Sequence, residues 1–470
     1  MQQLRSRAFG TALVSLALVV AACGGSTTPV PATVAPGTVA PAVTTAPGTV
    51  APAVTTAPAA DCHTSPATGV TQIEVESWWT TGGESTGLQK LFDTFNAANP
   101  TLCAYNAAIA GGAGTVAQAR VKAEVLAGLP PDTFQVHMGH ELLDQYVNVP
   151  APGPYMAPLD TSVIDPANFP AGVVKIVSGT DGKIYSVPLD IHRANVLWYN
   201  KTIFSANGIA AAPATWAEFK TDADILKAKG ITPIAVGDNG IWATGMIFET
   251  ALIAELGADG FAGLWTGKTA WSDPKVKTAL EDTKMVLGYE NADHSSLSWD
   301  QAADTLITGK AAMTIMGDWA AGEFINKKFT DYGWAPAPGN ANIYQALADS
   351  FGLPVKATDP DATKKLLAFM ASATGQDIFN PYKGSIPSNV HSGNPPAGQQ
   401  QYSDYQKSAM ADWSATGTTV VPSMEHGAAA NPAWKSAIED ALTTFVSAQD
   451  TTATQAALVT AAQQFVTAGQ

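Results

Sequence analysis

Ile73-Glu74-Val75-Glu76-Ser77-Trp78-Trp79-Thr80-Thr81-Gly82-Gly83-Glu84 is the stretch that decides the architecture. Up to Ser77 apolar and polar residues alternate with period two, the pattern of a half-buried strand. Beyond Glu84, Leu88, Leu91, Phe92 and Phe95 fall at helical spacing until Pro100. A strand therefore feeds a helix, and the unit recurs. Apolar Val196-Leu197-Trp198-Tyr199 precedes a helix opened by Thr215 with Glu218 three residues on, a capping-box pattern. Gly230 stops that helix and the strand-like Ile231–Val236 follows. Another helix, capped by Ser298 and ended by Gly309, leads into Ala312–Met316. Strands alternating with helices predict parallel sheets joined by crossovers, hence an α/β fold. From about Pro432 there are two helical patterns and no strand.

Composition narrows the function. The 470 residues suffice for two or three cores, and the formal charge of −15 excludes nucleic-acid binding, which rests on Lys and Arg displacing counterions. The 12 Trp residues are many for a chain with 14% charged residues. Exposed indole rings are usually put to use.

The N-terminal segment reads as an address. Arg5 and Arg7 form a positive end, Ala12–Val20 an apolar run too short to span a bilayer, and Val20-Ala21-Ala22-Cys23 resembles the bacterial lipobox. Residues 1–22 are expected to be a signal peptide, with Cys23 lipidated as the anchor on the extracytoplasmic face of the membrane. Removing Arg5 and Arg7 takes the formal charge from −15 to −17. With Cys23 acylated, Cys62 and Cys103 are left to form a disulfide in an oxidising compartment. Residues 23–65 form the tether: the unit Ala-Pro-Gly-Thr-Val-Ala-Pro-Ala-Val-Thr-Thr occurs at 35–45 and again at 46–56. This composition has nothing to pack and predicts an extended, polyproline-like leash.

No catalytic signature emerges: the sequence has no Gly-x-Ser-x-Gly elbow, no phosphate-cradling glycine loop and no His-Glu-x-x-His. His137 and His140 lie three apart, a spacing that could clip a metal on a helix, but they follow the strand-like Phe134-Gln135-Val136 with no acid or Cys cluster alongside, so neither a metal nor a cofactor is expected. Trp, carboxylate, Lys and His residues do cluster at predicted strand ends, where open α/β sheets place their ligand crevice.

Six segments in order carry a resemblance. They are Ser77–Glu84, Pro130–His137, Ile191–Lys201, Gly309–Met313 with Met316–Trp319, Asp349–Pro354, and Lys383–Pro387. Together they resemble the glucose/mannose-type sugar-binding lipoproteins of ABC importers, within the family-1 extracellular solute-binding proteins, similar in fold to maltose-binding protein. The resemblance spans about 70–430. It implies a two-lobe, type II clamshell with discontinuous lobes, 66–186 with 337–387 and 187–336 with 388–470. Three hinge crossings are placed near Tyr185–Asp190, Tyr332–Pro338 and Pro387–His391, rich in Pro or Gly.

The same resemblance implies the contacts. Trp79, with Trp78, is the aromatic residue beside the sugar; Glu84, Gln135, His137, Asp349 and Lys383 are polar contacts from the first lobe; Trp299, Trp319 and His426 come from the second. A pyranose has an apolar face for a Trp ring and a rim of hydroxyls that donate and accept, so this mixture suits it. Trp198 is assigned to the core, and Trp242, Asp318 and His192 are left without a role. The expected function is capture of a monosaccharide, a glucose/mannose-like aldohexose, by a monomeric, non-enzymatic protein that delivers it to the transmembrane subunits of an ABC permease. The rival is a secreted glycoside hydrolase using Glu84 and Asp349 as its carboxyl pair.

Overall fold

The computed structural model describes residues 69–111 and 114–466; the expected signal peptide, Cys23, the tether and Cys62 lie outside them. Cys103 is buried on its strand, but the proposed pairing falls on an undescribed partner. Among the described residues no helix is long and apolar enough to cross a membrane.

The strands, in chain order, are β1 (Thr71–Glu76), β2 (Leu102–Asn106), β3 (Thr133–His137), β4 (Met156–Ala157), β5 (Ser186–Pro188), β6 (His192–Arg193), β7 (Val196–Asn200), β8 (Thr232–Ile234), β9 (Ala311–Ile315), β10 (Tyr332–Pro336), β11 (Ile343–Leu347), β12 (Asp349–Pro354) and β13 (Thr419–Pro422). They build three sheets: β2-β1-β3-β12-β4 with β5 also on β12, then β10-β7-β9-β8, then the small β13-β11-β6. The local reading holds well. Helix Gly82–Ala98 follows β1 and buries Leu88, Leu91, Phe92 and Phe95. Helix Trp216–Ala228 begins with Thr215 Oγ1 accepting from Glu218 N–H and Glu218 accepting from Thr215 N–H, the reciprocal cap its sequence promised.

Three expectations are corrected. The sheets are mixed rather than parallel: β1, β2 and β3 run parallel, but β12 is antiparallel to β3, β4 and β5, and β7 is antiparallel to β9 and β10. The second crossing does not fall at Tyr332–Pro338. Those residues are mostly β10, paired with β7, and the chain rejoins the first sheet only through Ala348, between β11 and β12. Pro and Gly there mark a strand end instead of a hinge. The third crossing is also later than Pro387–His391, because Ser388 Oγ donates to Pro188 O, Val390 N–H to Asn168 O and Gly393 N–H to Asp377, all on the first lobe's side. The first crossing runs through Leu189–Ile191, where Asp190 accepts from Asp349 N–H at 2.8 Å.

Each sheet packs into an apolar interior. Trp198 is fully buried in the second lobe, its indole N–H donating to Met316 O at 2.9 Å, as its apolar neighbours in sequence suggest. The two lobes meet where helix Gly82–Ala98, helix Trp319–Asn326 and the end of helix Ala373–Lys383 approach backbone to backbone. A Cβ at Gly322 would sit 2.4 Å from Lys383 O, and one at Gly83 would sit 2.3 Å from Tyr382 O.

Candidate functional site

Strand ends and helix starts from both lobes converge on one chamber of about 430 Å³, lined by Trp78, Glu84, Gly111, His137, Trp242, Trp299, Trp319, Leu347, Asp349, Lys383 and His426. β1 delivers Trp78, β3 delivers His137 and β12 begins with Asp349; the Asp349↔His137 register places these last two side by side. Glu84 sits in the first turn of helix Gly82–Ala98, but it makes no helix cap. Its Oε1 accepts instead from Lys383 Nζ at 2.5 Å, a residue 299 positions away at the end of helix Ala373–Lys383.

The polar groups come in both hydrogen-bonding senses. Burial works against the charge on Lys383, yet Glu84, Asp349 and Asp190 outweigh it and hold its pKa above the ordinary value. Burial also raises the Glu84 carboxyl, against the pull of Lys383. Asp349 is buried too, but hydrogen bonding to His192 and the charges of His137 and Lys383 keep it well below the usual carboxylate range. It is therefore an ionised acceptor. Gln135 Nε2 donates to its Oδ1 at 2.8 Å, and His137 Nε2 stands 3.8 Å from the same oxygen. His137 Nδ1 meets Glu141 Oε2 at 2.7 Å; burial opposes protonation, and Glu141 overcomes it, raising the imidazole's pKa.

His426 is the opposite case. Burial, with His137 and Lys435, pushes its pKa well down, so it is neutral. Ser423 Oγ spends its proton on Glu249 Oε2 at 2.9 Å and stands 3.0 Å from His426 Nδ1. The hydroxyl oxygen then accepts from Nδ1–H, and His426 Nε2 is left as an acceptor.

Aromatic rings complete the wall. Trp78 lies 4.9 Å from His137, His426 lies 5.2 Å from Trp319, and Trp242 lies 6.4 Å from Trp319, centroid to centroid. Lys383 Nζ stands 5.7 Å from the Trp319 ring centre. Of the residues singled out in the sequence, Trp78, Glu84, His137, Trp299, Trp319, Asp349, Lys383 and His426 thus share one gap.

Trp79 and Gln135 do not line it, and both expectations are corrected. Trp79 has no exposed surface: its ring packs 5.0 Å from Phe379 and 5.7 Å from Phe351, while its backbone N–H donates to Ser77 Oγ. It supports Lys383 from behind, 5.0 Å from Nζ. Gln135 bridges Trp78 N–H and Asp349, fixing two wall residues without reaching the space between them.

Trp242 is an addition, placed at the start of helix Trp242–Thr266 just after a strand end. The signal was present in Val236-Gly237-Asp238-Asn239-Gly240, a glycine-rich turn between strand and helix.

His192 and Asp318, also without a role in the sequence, form a fully buried hub beneath the chamber. His192 Nδ1 bonds Asp318 Oδ1, and its Nε2 faces Asp190 Oδ2 at 3.2 Å and Asp349 Oδ2 at 3.5 Å. Burial disfavours the imidazolium there, but Asp190 and Asp318 raise its pKa well above the ordinary value, and the cation ties the first crossing to β12 and to helix Trp319–Asn326. Asp190, His192 and Asp349 are close enough to bracket a cation. The imidazolium already supplies positive charge at their centre.

Residues 79–377 match the model of the bacterial extracellular solute-binding protein family. An uncharacterized ABC transporter extracellular-binding protein of Pyrococcus horikoshii is 35% identical over 81% of this chain and 85% of its own. A probable sugar-binding periplasmic protein of Rhizobium meliloti is 29% identical over 80% of this chain and 90% of its own. The crystal structure of the bacterial solute receptor AcbH, described as preferring β-D-galactopyranose, superposes with a TM-score of 0.73 at 20% identity, covering 86% of this chain and all of that one. The fold is the type II clamshell, its two α/β lobes closing on the chamber just described. The chain belongs to the family of bacterial extracellular solute-binding proteins.

Proposed function

We propose that this protein is the sugar-capturing subunit of an ABC importer, gripping one glucose- or mannose-like aldohexose ring in the chamber and presenting the closed form to the permease. The observation that carries the reading is the composition of the wall. Indole rings of Trp78, Trp242, Trp299 and Trp319 share the wall with acceptors (Asp349, His426 Nε2) and donors (Lys383, His137). Such a wall satisfies both faces of a pyranose, whereas an unmatched hydroxyl costs about 1–3 kcal/mol. Relatives named as sugar-binding proteins support the sugar class, though not one particular sugar. Because the contacts come from both lobes, ligand binds the closed form more tightly than the open one, the only way it can drive closure. Residues 66–186 with 337–387, and 187–336 with 388–470, are our working lobes, adjusted at the crossings as described. The anchor at Cys23, the Cys62–Cys103 pair, the monomeric state and the absence of turnover belong to the same proposal. Titration calorimetry with glucose, mannose, galactose and xylose tests it. Saturable heat with one hexose at a Kd near 1 μM, without release of reducing sugar from glycosides, is expected. No heat with any sugar, or hydrolysis of a glycoside, overturns it.

A further inference from the structure

His426 reaches the chamber, but the group that decides what it offers there lies behind the wall. Glu249 follows Trp242 by about two turns on the same face of helix Trp242–Thr266; it has no exposed surface and does not line the chamber. The loop that carries His426 lies directly on this helix, leaving no room for a Cβ at Gly245, which Glu425 Oε1 would meet. Glu249 Oε1 accepts from Met424 N–H at 2.5 Å. Its Oε2 accepts from Ser423 Oγ at 2.9 Å, across 174 positions of chain, with Glu425 N–H 3.4 Å from the same oxygen. One buried carboxylate therefore anchors the loop and ends a chain of hydrogen bonds that runs through Ser423 to His426 Nδ1, 3.0 Å further on.

The chain has a direction. An ionised carboxylate only accepts and a backbone N–H only donates, so Ser423 must give its proton to Glu249 and can only accept from the ring. Burial raises the Glu249 carboxyl to about 7 against the pull of its three donors, so above neutrality the anion is the fixed end. Burial first, then the charges of His137 and Lys435, keep His426 neutral, with one ring proton for two nitrogens. Reversing the first link reverses the last. A glutamine at position 249 must keep its oxygen on Met424 N–H, because an amide NH2 there would face a donor at 2.5 Å. Its NH2 then donates to Ser423, Ser423 donates to Nδ1, and the ring proton moves to Nε2.

We infer that Glu249 is a positioning residue for recognition: through Ser423 it fixes His426 as a hydrogen-bond acceptor in the chamber, and so demands a donor, a free hydroxyl, at one position of the ligand. The demand for a hydroxyl rests on the sugar reading above, whereas the relay is measurable without any sugar. In the purified full chain labelled with 15N-histidine, long-range 1H–15N spectra at pH 8.5 report which ring nitrogen of each of the seven histidines carries the proton, and His426→Gln identifies its signal. Wild type is expected to hold the His426 proton on Nδ1 and Glu249→Gln to hold it on Nε2. Ser423→Ala leaves the carboxylate its backbone donors but cuts the link, so the proton moves to Nε2 there too; this variant decides the matter where Glu249→Gln does not fold. The best-binding hexose is then titrated beside its monodeoxyfluoro analogues, in each of which one hydroxyl loses its proton. In wild type the analogue altered where the ring faces His426 is expected to bind about tenfold or more weakly. Glu249→Gln shrinks that penalty to within about threefold and leaves the penalties at the other positions as they were. A proton on Nε2 in wild type, or one that stays on Nδ1 in both variants, overturns the relay. A moved proton with an unchanged pattern of penalties overturns its part in specificity. No heat with any hexose removes the sugar reading, and the spectra still decide the relay.

Discussion

Replacing Lys383 by Met removes the ammonium 2.5 Å from Glu84 Oε1 and leaves that carboxyl in the chamber, 9% exposed, without its cation. Breaking a buried pair in this way costs about 3–5 kcal/mol if the remaining charge persists. Glu84 has an escape, because it can take up a proton. Its ordinary pKa is 4.5, so protonating it at pH 7 costs about 3.4 kcal/mol, from roughly 1.4 kcal/mol for each pH step. That figure caps the electrostatic loss. The sign follows: in Lys383→Met the folded pKa of Glu84 lies above its unfolded value, so the penalty is full at neutral pH and disappears as pH falls through 4.5. Urea unfolding of wild type and variant at pH 5, 6, 7 and 8 reads it directly. The expected deficit is about 3 kcal/mol at pH 7 and below about 1 kcal/mol at pH 5. Glu84→Gln added to Lys383→Met recovers most of the loss at pH 7. A deficit that is constant across this range, or that grows on acidification, refutes the assignment of Lys383 and Glu84 as a buried ion pair.

Gly322→Ala inserts a Cβ 2.4 Å from Lys383 O and separates the helix that carries Trp319 from the segment that carries Lys383; affinity for the best-binding sugar should fall about tenfold or more, at an overpacking cost of about 1–3 kcal/mol, and an unchanged Kd contradicts this. Trp79→Ala empties a fully buried site and should destabilise by about 3–5 kcal/mol in urea, whereas Trp78→Ala should cost little stability and much affinity; the reverse pattern would restore Trp79 as the contact residue. Glu76 is 1% exposed and burial, reinforced by Glu124, lifts its pKa to about 8, so its folded form prefers the proton and stability declines as pH rises from 4.5 to 8. Glu76→Gln should therefore gain about 2–4 kcal/mol over wild type at pH 9 and nothing at pH 5, measured by thermal melts.

What the sequence disclosed was what is local. The period-two run at Ile73–Glu76, the apolar spacing through Phe95 and the Thr215/Glu218 cap each depend on neighbours in the chain, and each appears where it was read. Pairing across the sheets is not local. The antiparallel course of β12 and the crossing at Ala348 depend on partners more than 150 positions away, and proline content was a poor guide to them. The two adjacent indoles show the limit at the site. Trp78 and Trp79 have the same chemistry, and only the Ser77 Oγ bond to Trp79 N–H, with Phe351 and Phe379 waiting in the core, sends the second ring inward. Trp242 was left without a role although a glycine-rich turn precedes it, and His192 likewise, because two of its three carboxylate partners, Asp318 and Asp349, lie far along the chain.

The chamber wall draws on residues from Trp78 to His426, and its ion pair joins positions 299 apart. No fragment that stops short of His426 has a complete wall, so competence to hold a ligand arrives only once nearly all of the polypeptide has been exported and folded. Ligand-induced protection from proteolysis then reports on the finished molecule alone, and nascent or truncated chains remain blind to the solute around them.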